Sequence, residues 1–146
     1  MLAGCTAQPE KTVSASVVEA MSAPAGDNFA RAYEPIQFQF PLDHGPHPEY
    51  RTEWWYYTGN LDDAEGRHFG YQFTIFRRAV VPADQRSDRE SDWTADQIYM
   101  GHFALTDVAG QDYQAFEHFA RGGAGLAGAQ ADPYQVWLED WQVEEV

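Results

Sequence analysis

The residues in this chain best equipped for chemistry are a carboxyl group set in a run of rings. Glu53 is followed directly by Trp54, Trp55, Tyr56 and Tyr57. A carboxylic acid held away from water has its pKa raised, and aromatic faces stabilise a cation. Together they suit general-acid chemistry on an apolar substrate. The competing reading gives Glu53 an ion-pair partner, Arg51 or Arg77, and makes the rings core; structural ion pairs also perturb carboxylates, and this reading is preferred. His102 is the second acid–base candidate. It stands between Met100 and Ala104 on its strand face, where it either lines a cavity or is a hydrogen-bonded core histidine. His44 and His47 lie three apart on a Pro-rich loop, and with His102 they have the donor types for zinc. Nothing in the spacing brings His102 to the other two, so no metal and no cofactor is expected. Asp140 and Glu139 read as ordinary strand-face charges.

These residues sit on segments that alternate with a period of two, the signature of half-buried strands. From Tyr33 to Phe40, Ile36, Phe38 and Phe40 fall opposite Gln37 and Gln39. Pro41 ends that segment, and Asp43-His44-Gly45-Pro46-His47-Pro48 reads as a rigid loop. Glu53 to Leu61 is an aromatic strand, with Trp54 and Tyr56 on one face and Trp55 and Tyr57 on the other. Asp62 to Gly66 reads as a hairpin turn, in which Gly66 can take a positive φ. His68 to Arg78 returns, with Phe69, Tyr71, Phe73 and Ile75 together. Residues 82–95 are polar and long enough for a loop. Gln97 to Thr106 follows, with Tyr99, Gly101, Phe103 and Leu105 opposite Ile98, Met100, His102 and Ala104. A turn at 107–111 leads into Asp112 to Phe119. Residues 122–128 read as a flexible glycine-rich link, and Tyr134 to Trp141 as one more strand. Strands joined by short polar turns, with no helical repeat, predict an antiparallel all-β barrel or curved sheet. The six or seven strands fall short of a closed eight-stranded barrel.

The composition narrows the partners. Nine Lys and Arg stand against 23 Asp and Glu in 146 residues, giving a formal net charge of −14. A surface of that sign excludes nucleic acid as a partner, because phosphates need a basic face, and it would be repelled by anionic lipid. Aromatic residues make up 15% of the chain, a density that suits enclosure of an apolar small molecule. The single cysteine rules out an intrachain disulfide. Its setting, Leu2-Ala3-Gly4-Cys5, resembles the lipobox that ends a bacterial lipoprotein signal peptide, which makes Cys5 the lipidated residue. The charged and apolar regions of a full signal are not upstream of it, so a longer gene product is expected to supply them. Residues 6–32 are rich in Ala, Ser, Thr and Pro, as in a solvated linker. The expected division is therefore 1–32, signal remnant and linker, and 33–146, one β-domain.

A longer match then joins these segments. The run from His44 to Leu61, containing Glu53-Trp54-Trp55-Tyr56-Tyr57-Thr58-Gly59-Asn60, is similar to the signature of the carotenoid 1,2-hydratase and AttH-like family. So are Gly70 to Arg77, Tyr99 to Asp107, and Trp137 to Trp141, in the same order. The resemblance implies a lipocalin-like fold made of two tandem β-domains, of which this chain would be the first, cut before the second. It also implies handling of an isoprenoid- or polyene-like molecule, and the aromatic strands themselves offer Trp54, Trp55, Tyr56, Tyr57, Tyr99 and His102 as ligand-binding residues. Two functions stay open. One is a hydro-lyase that adds water across a C=C bond, with Glu53 or His102 as the catalytic group. The other is a lipid-anchored carrier or accessory of an ABC transporter, on the periplasmic side of a bacterial envelope. Fold-level analogy does not choose between them.

Overall fold

A computed structural model describes residues 28–86 and 96–146. Cys5, most of the expected linker and the second half of the 82–95 loop lie outside the described residues. Seven strands follow in order: β1 (Thr52–Asp62), β2 (His68–Ala79), β3 (Gln97–Asp107), β4 (Asp112–Arg121), β5 (Ala127–Ala131), β6 (Tyr134–Leu138) and β7 (Trp141–Glu144). They form two antiparallel meanders, β1-β2-β3-β4 and β5-β6-β7, that are not closed into a barrel. Both expected hairpins are present. The β1–β2 turn is closed by the Asp63 N–H on the Arg67 carbonyl at 3.0 Å, with Gly66 at φ +80°. At the β3–β4 turn the Gly110 N–H donates to the Asp107 carboxylate at 2.9 Å. That bond comes first among the causes that hold the Asp107 carboxyl below its ordinary value, ahead of Arg67.

Register fixes the two faces of the larger sheet. Trp55 pairs with Ile75, Ile75 with Gly101, and Gly101 with His118. One step along, Tyr57, Phe73, Phe103 and Phe116 form a second row across all four strands. A third row, Glu53, Arg77, Tyr99 and Ala120, lies on the other side of the first. These rows face the smaller sheet, and the buried core is Trp55, Ile75, Tyr99, Ala127, Val136 and Leu138. The small sheet approaches closely because Gly101 offers no Cβ. A methyl there would lie 2.7 Å from Leu138 Cδ2 and 3.0 Å from Trp141 Cε3.

Three segments depart from the sequence pattern, each for a physical reason. Residues 33–40 alternate but form no strand. The segment is interrupted by Pro35 and stopped by Pro41, no strand among the described residues neighbours it, and Ile36, Phe38 and Phe40 are exposed. Alternation signals a strand only where a partner takes the backbone hydrogen bonds. β5 begins at the end of the glycine-rich link and runs past it, hidden because Ala-Gly-Ala-Gln-Ala carries no apolar period. Its glycine is required: a Cβ on Gly128 would lie 2.4 Å from the Trp137 ring. Tyr134 to Trp141 is two strands, not one. Glu139 takes a positive φ of 56°, and the chain reverses so that Leu138 faces Trp141 across a two-residue turn. Glu139 and Asp140 are turn residues rather than strand-face charges.

Candidate functional site

The second row is the base of a groove. Tyr57, Phe73, Phe103 and Phe116 come from β1 to β4, and Trp141 of β7 stands over them. Neighbouring rings along the row are 6.1 to 6.2 Å apart. Trp141 meets Phe73 edge-on at 5.7 Å and Phe103 at 6.4 Å, and stacks on His118 at 4.3 Å. These spacings are within the 4.5–7 Å range of favourable aromatic pairs, apart from the tighter histidine stack. The groove holds about 590 Å³, opens to solvent, and is walled further by Tyr71 and Val143. Such a volume is that of a small-molecule site.

A second, polar space of about 330 Å³ shares Tyr57 with the groove and includes His44, His47, Glu53 and Tyr134. The Tyr57 and Tyr134 hydroxyls are hydrogen-bonded to each other. Burial first, and that bond second, push the Tyr57 phenol well above its ordinary value. Burial also raises Tyr134, with Tyr57 opposing. Both are neutral hydrogen-bonding groups at physiological pH.

The structure separates the residues singled out in the sequence. Glu53 has the ion-pair partner that the sequence favoured. Arg77 Nε donates to its Oε1 at 2.5 Å, and the His47 backbone N–H donates to its Oε2 at 2.8 Å. Trp55 and Tyr57 face inward, and the Trp55 indole donates to the His44 carbonyl at 3.0 Å. Trp54 and Tyr56 point to the opposite face, where Trp54 is 62% exposed and packs on Phe76. His102 is also on that outer face, its ring against Phe76 at 5.8 Å and its Nε2 at 3.4 Å from Glu117. It therefore neither joins the inward pair nor neighbours Glu53, and its strand position dictates this: Thr74 and Glu117 are its cross-strand partners. Tyr99 faces inward but is buried in the core, away from the groove. Burial pushes its phenol up to about 12. His44 and His47 are on the inner side, so the three-histidine arrangement is not assembled.

Several groove residues were not singled out in the sequence: Tyr71, Phe73, Phe103, Phe116, His118 and Trp141. For Tyr71, Phe73 and Phe103 the signal was available in the alternation, which placed them on the apolar faces of β2 and β3. Trp141 could be placed only once the break at Glu139 was known. His118 Nδ1 donates to Glu139 Oε2, 2.9 Å away, and His118, Glu139 and Asp140 offer ligand atoms within 4.8 Å of one another. They are the one group among the described residues arranged to hold a metal ion, and both acids are exposed.

Two antiparallel sheets facing one another over a ring-lined groove define a lipocalin-like, all-β domain. Residues 31–146 match the family model described as AttH-like, and the chain belongs to that family. It is similar to the crystal structure of an AttH candidate from Nitrosomonas europaea, with 34% identity and a TM-score of 0.63. The match covers 81% of this chain and 33% of the other, so this chain spans about a third of that relative. No curated protein matches the chain.

Proposed function

We propose that this domain binds an elongated apolar molecule, isoprenoid- or polyene-like, along the groove. The observation that carries the reading is the row Tyr57–Phe73–Phe103–Phe116 facing Trp141 across an open space of about 590 Å³. Five rings committed to one concave surface leave apolar area that water solvates poorly. A ligand burying about 300 Å² there would gain roughly 7 kcal/mol at about 25 cal/mol per Å², before the entropic costs of binding. Edge and face contacts with the rings add about 0.5–1.5 kcal/mol each.

One observation supports the hydro-lyase reading as a second function. His118 lines the groove, stacked on Trp141 and hydrogen-bonded to Glu139. Alkene hydration needs a proton delivered to one carbon, a cation stabilised on the other, and a water that adds and then loses a proton. His118 and the Trp141 face are the groove residues suited to the first two steps. Glu53 is committed to Arg77 and lines the polar space instead. The experiment that separates binding from hydration is incubation with a polyene followed by mass spectrometry of the extracted ligand. Recovery unchanged supports the carrier reading; gain of one water that is lost in His118→Ala supports the hydro-lyase.

The attachment we propose is a lipid on Cys5 at the periplasmic side of a bacterial envelope, with ABC transporter components as partners; the tetrapeptide ending at Cys5 supports it. No helix among the described residues is long and apolar enough to cross a membrane. The full-length gene expressed in a Gram-negative host is expected to sediment with membranes, and Cys5→Ala to release the protein. Sedimentation that is unaffected by Cys5→Ala, or no acyl group on Cys5 by mass spectrometry, would remove the anchor.

A further inference from the structure

Behind the core, away from the ring-lined groove, lies a separate space of about 360 Å³ walled by Arg77, Arg86, Gln97, Tyr99, Pro46 and Trp137, among others. Arg77 is only 1% exposed. Its guanidinium has five N–H donors. Nε donates to Glu53 at 2.5 Å, and Nη2 donates to the carbonyls of His47 at 2.9 Å and Tyr50 at 2.8 Å. Nη1 is buried and has no hydrogen-bond partner among the described residues. Arg86 repeats the pattern. Its Nε reaches the Val81 carbonyl at the long distance of 3.5 Å, while its buried Nη2 has no partner among the described residues. Buried nitrogens of this kind are rare, since an unmet buried donor costs about 1–3 kcal/mol and more when charged.

The charges around this space point the same way. No Asp, Glu or His is among its described lining residues. Glu53 is spent on Arg77 Nε, and Asp96 acts on Arg86 without lining the space. Arg77 and Arg86 are close enough to repel, and this repulsion, after desolvation, lowers the Arg86 pKa. The Tyr99 hydroxyl donates to Gln97 Oε1 at 3.0 Å, so the phenol stays neutral and offsets neither cation.

We propose that this space is an oxyanion site, in which a phosphate or carboxylate group pairs with the Arg77 and Arg86 guanidinium groups, whose Nη1 and Nη2, respectively, have no acceptor among the described residues. The planar guanidinium fork matches the geometry of both anions. The volume exceeds that of a bare anion, and Pro46, Pro48 and Trp137 form an apolar wall that fits a small organic substituent carrying the charge. The site is distinct from the groove and does not depend on what the groove binds.

The test is thermal unfolding of the full chain in increasing sodium phosphate or sodium acetate, against sodium chloride at matched ionic strength. A ligand that binds the folded state raises Tm with the logarithm of its concentration. Phosphate or acetate is expected to raise Tm beyond chloride. Arg86→Gln is expected to weaken that response at least tenfold without unfolding the protein. Gln97→Glu places a carboxylate in the space while still accepting the Tyr99 hydroxyl. It is expected to raise Tm in chloride alone and to abolish the anion response. Vesicles distinguish the source of the group: Arg86-dependent sedimentation with phosphatidylglycerol but not phosphatidylcholine vesicles identifies a lipid headgroup, and a response to the free ions alone identifies a soluble ligand. Equal shifts in phosphate, acetate and chloride, or an undiminished response in Arg86→Gln, would overturn the proposal.

Discussion

Replacing Arg77 with methionine keeps an unbranched chain of similar length in the core and removes the fork that ties β2 to the Pro-rich loop. Three bonds disappear: the one to Glu53 and those to the carbonyls of His47 and Tyr50. The Glu53 side chain is only 14% exposed, so it is left with the His47 backbone N–H at 2.8 Å, the His47 Nδ1 at 3.3 Å and little water to replace the guanidinium. Stranding one member of a buried ion pair costs about 3–5 kcal/mol. Against a stability of roughly 5–15 kcal/mol for a domain, that is a large share. The melting temperature should fall by about 12 °C or more at roughly 4–8 °C per kcal/mol. Thermal unfolding followed by tryptophan fluorescence measures the fall, urea unfolding the free energy, and Glu53→Gln completes a double-mutant cycle. The double variant should recover about 1–3 kcal/mol relative to the sum of the single effects, because a neutral amide in place of the Glu53 carboxylate no longer needs a cation. An Arg77→Met variant within about 1 kcal/mol of the parent, or a strictly additive cycle, would refute the reasoning.

Other outcomes follow from the same geometry. The Tyr99 phenol, pushed up to about 12 by burial, holds its proton more tightly in the folded state than in the unfolded one. Its contribution is therefore complete below about pH 10 and lost as pH rises through about 12, amounting to about 2–3 kcal/mol. Alkaline titration should show that loss, and Tyr99→Phe should make it shallower; an identical profile in Tyr99→Phe would assign the loss elsewhere. Gly101→Val puts branched carbon where Leu138 Cδ2 and Trp141 already lie, at an overpacking cost of about 1–3 kcal/mol. Near-UV circular dichroism should report displacement of Trp141, and an unchanged spectrum with unchanged stability would show that the two sheets are not held so close.

How much of this was legible in the sequence depended on whether a residue's role is local. The two faces of β1, β2 and β3 could be read from alternation, because a strand's side chains change sides at every residue whatever its neighbours do. Asp62 to Gly66 was legible because its turn chemistry lies in consecutive residues. Which face turns inward was not: Trp54-Trp55-Tyr56-Tyr57 is aromatic on both sides, and only pairing with β2 and cover by β5 and β6 buries Trp55. The same blindness placed His102 among ligand-binding residues, although its strand neighbours Met100 and Ala104 look apolar enough for a core. Ile36, Phe38 and Phe40 alternate as well as any strand here, yet among the described residues no strand pairs with them. β5 was invisible for the opposite reason: it carries small residues, and its Gly128 is required by the Trp137 ring that covers it. The family resemblance, carried by collinear motifs, was legible before any of this and agrees with the match over residues 31–146.

The central claim is that apolar molecules are held on the inner rings and not on the exposed aromatic face. It is tested most directly by titrating the chain with a conjugated polyene while following tryptophan fluorescence in the parent, Trp141→Phe, Trp54→Phe and Phe103→Glu proteins. The account predicts saturable quenching in the parent, preserved in Trp54→Phe, and sharply reduced in Trp141→Phe because the reporting indole over the groove is gone. Phe103→Glu should weaken binding at least tenfold, since a carboxylate on the groove floor must be desolvated to admit the ligand. Quenching that never saturates, or that is lost in Trp54→Phe and kept in both inner-face variants, would contradict it.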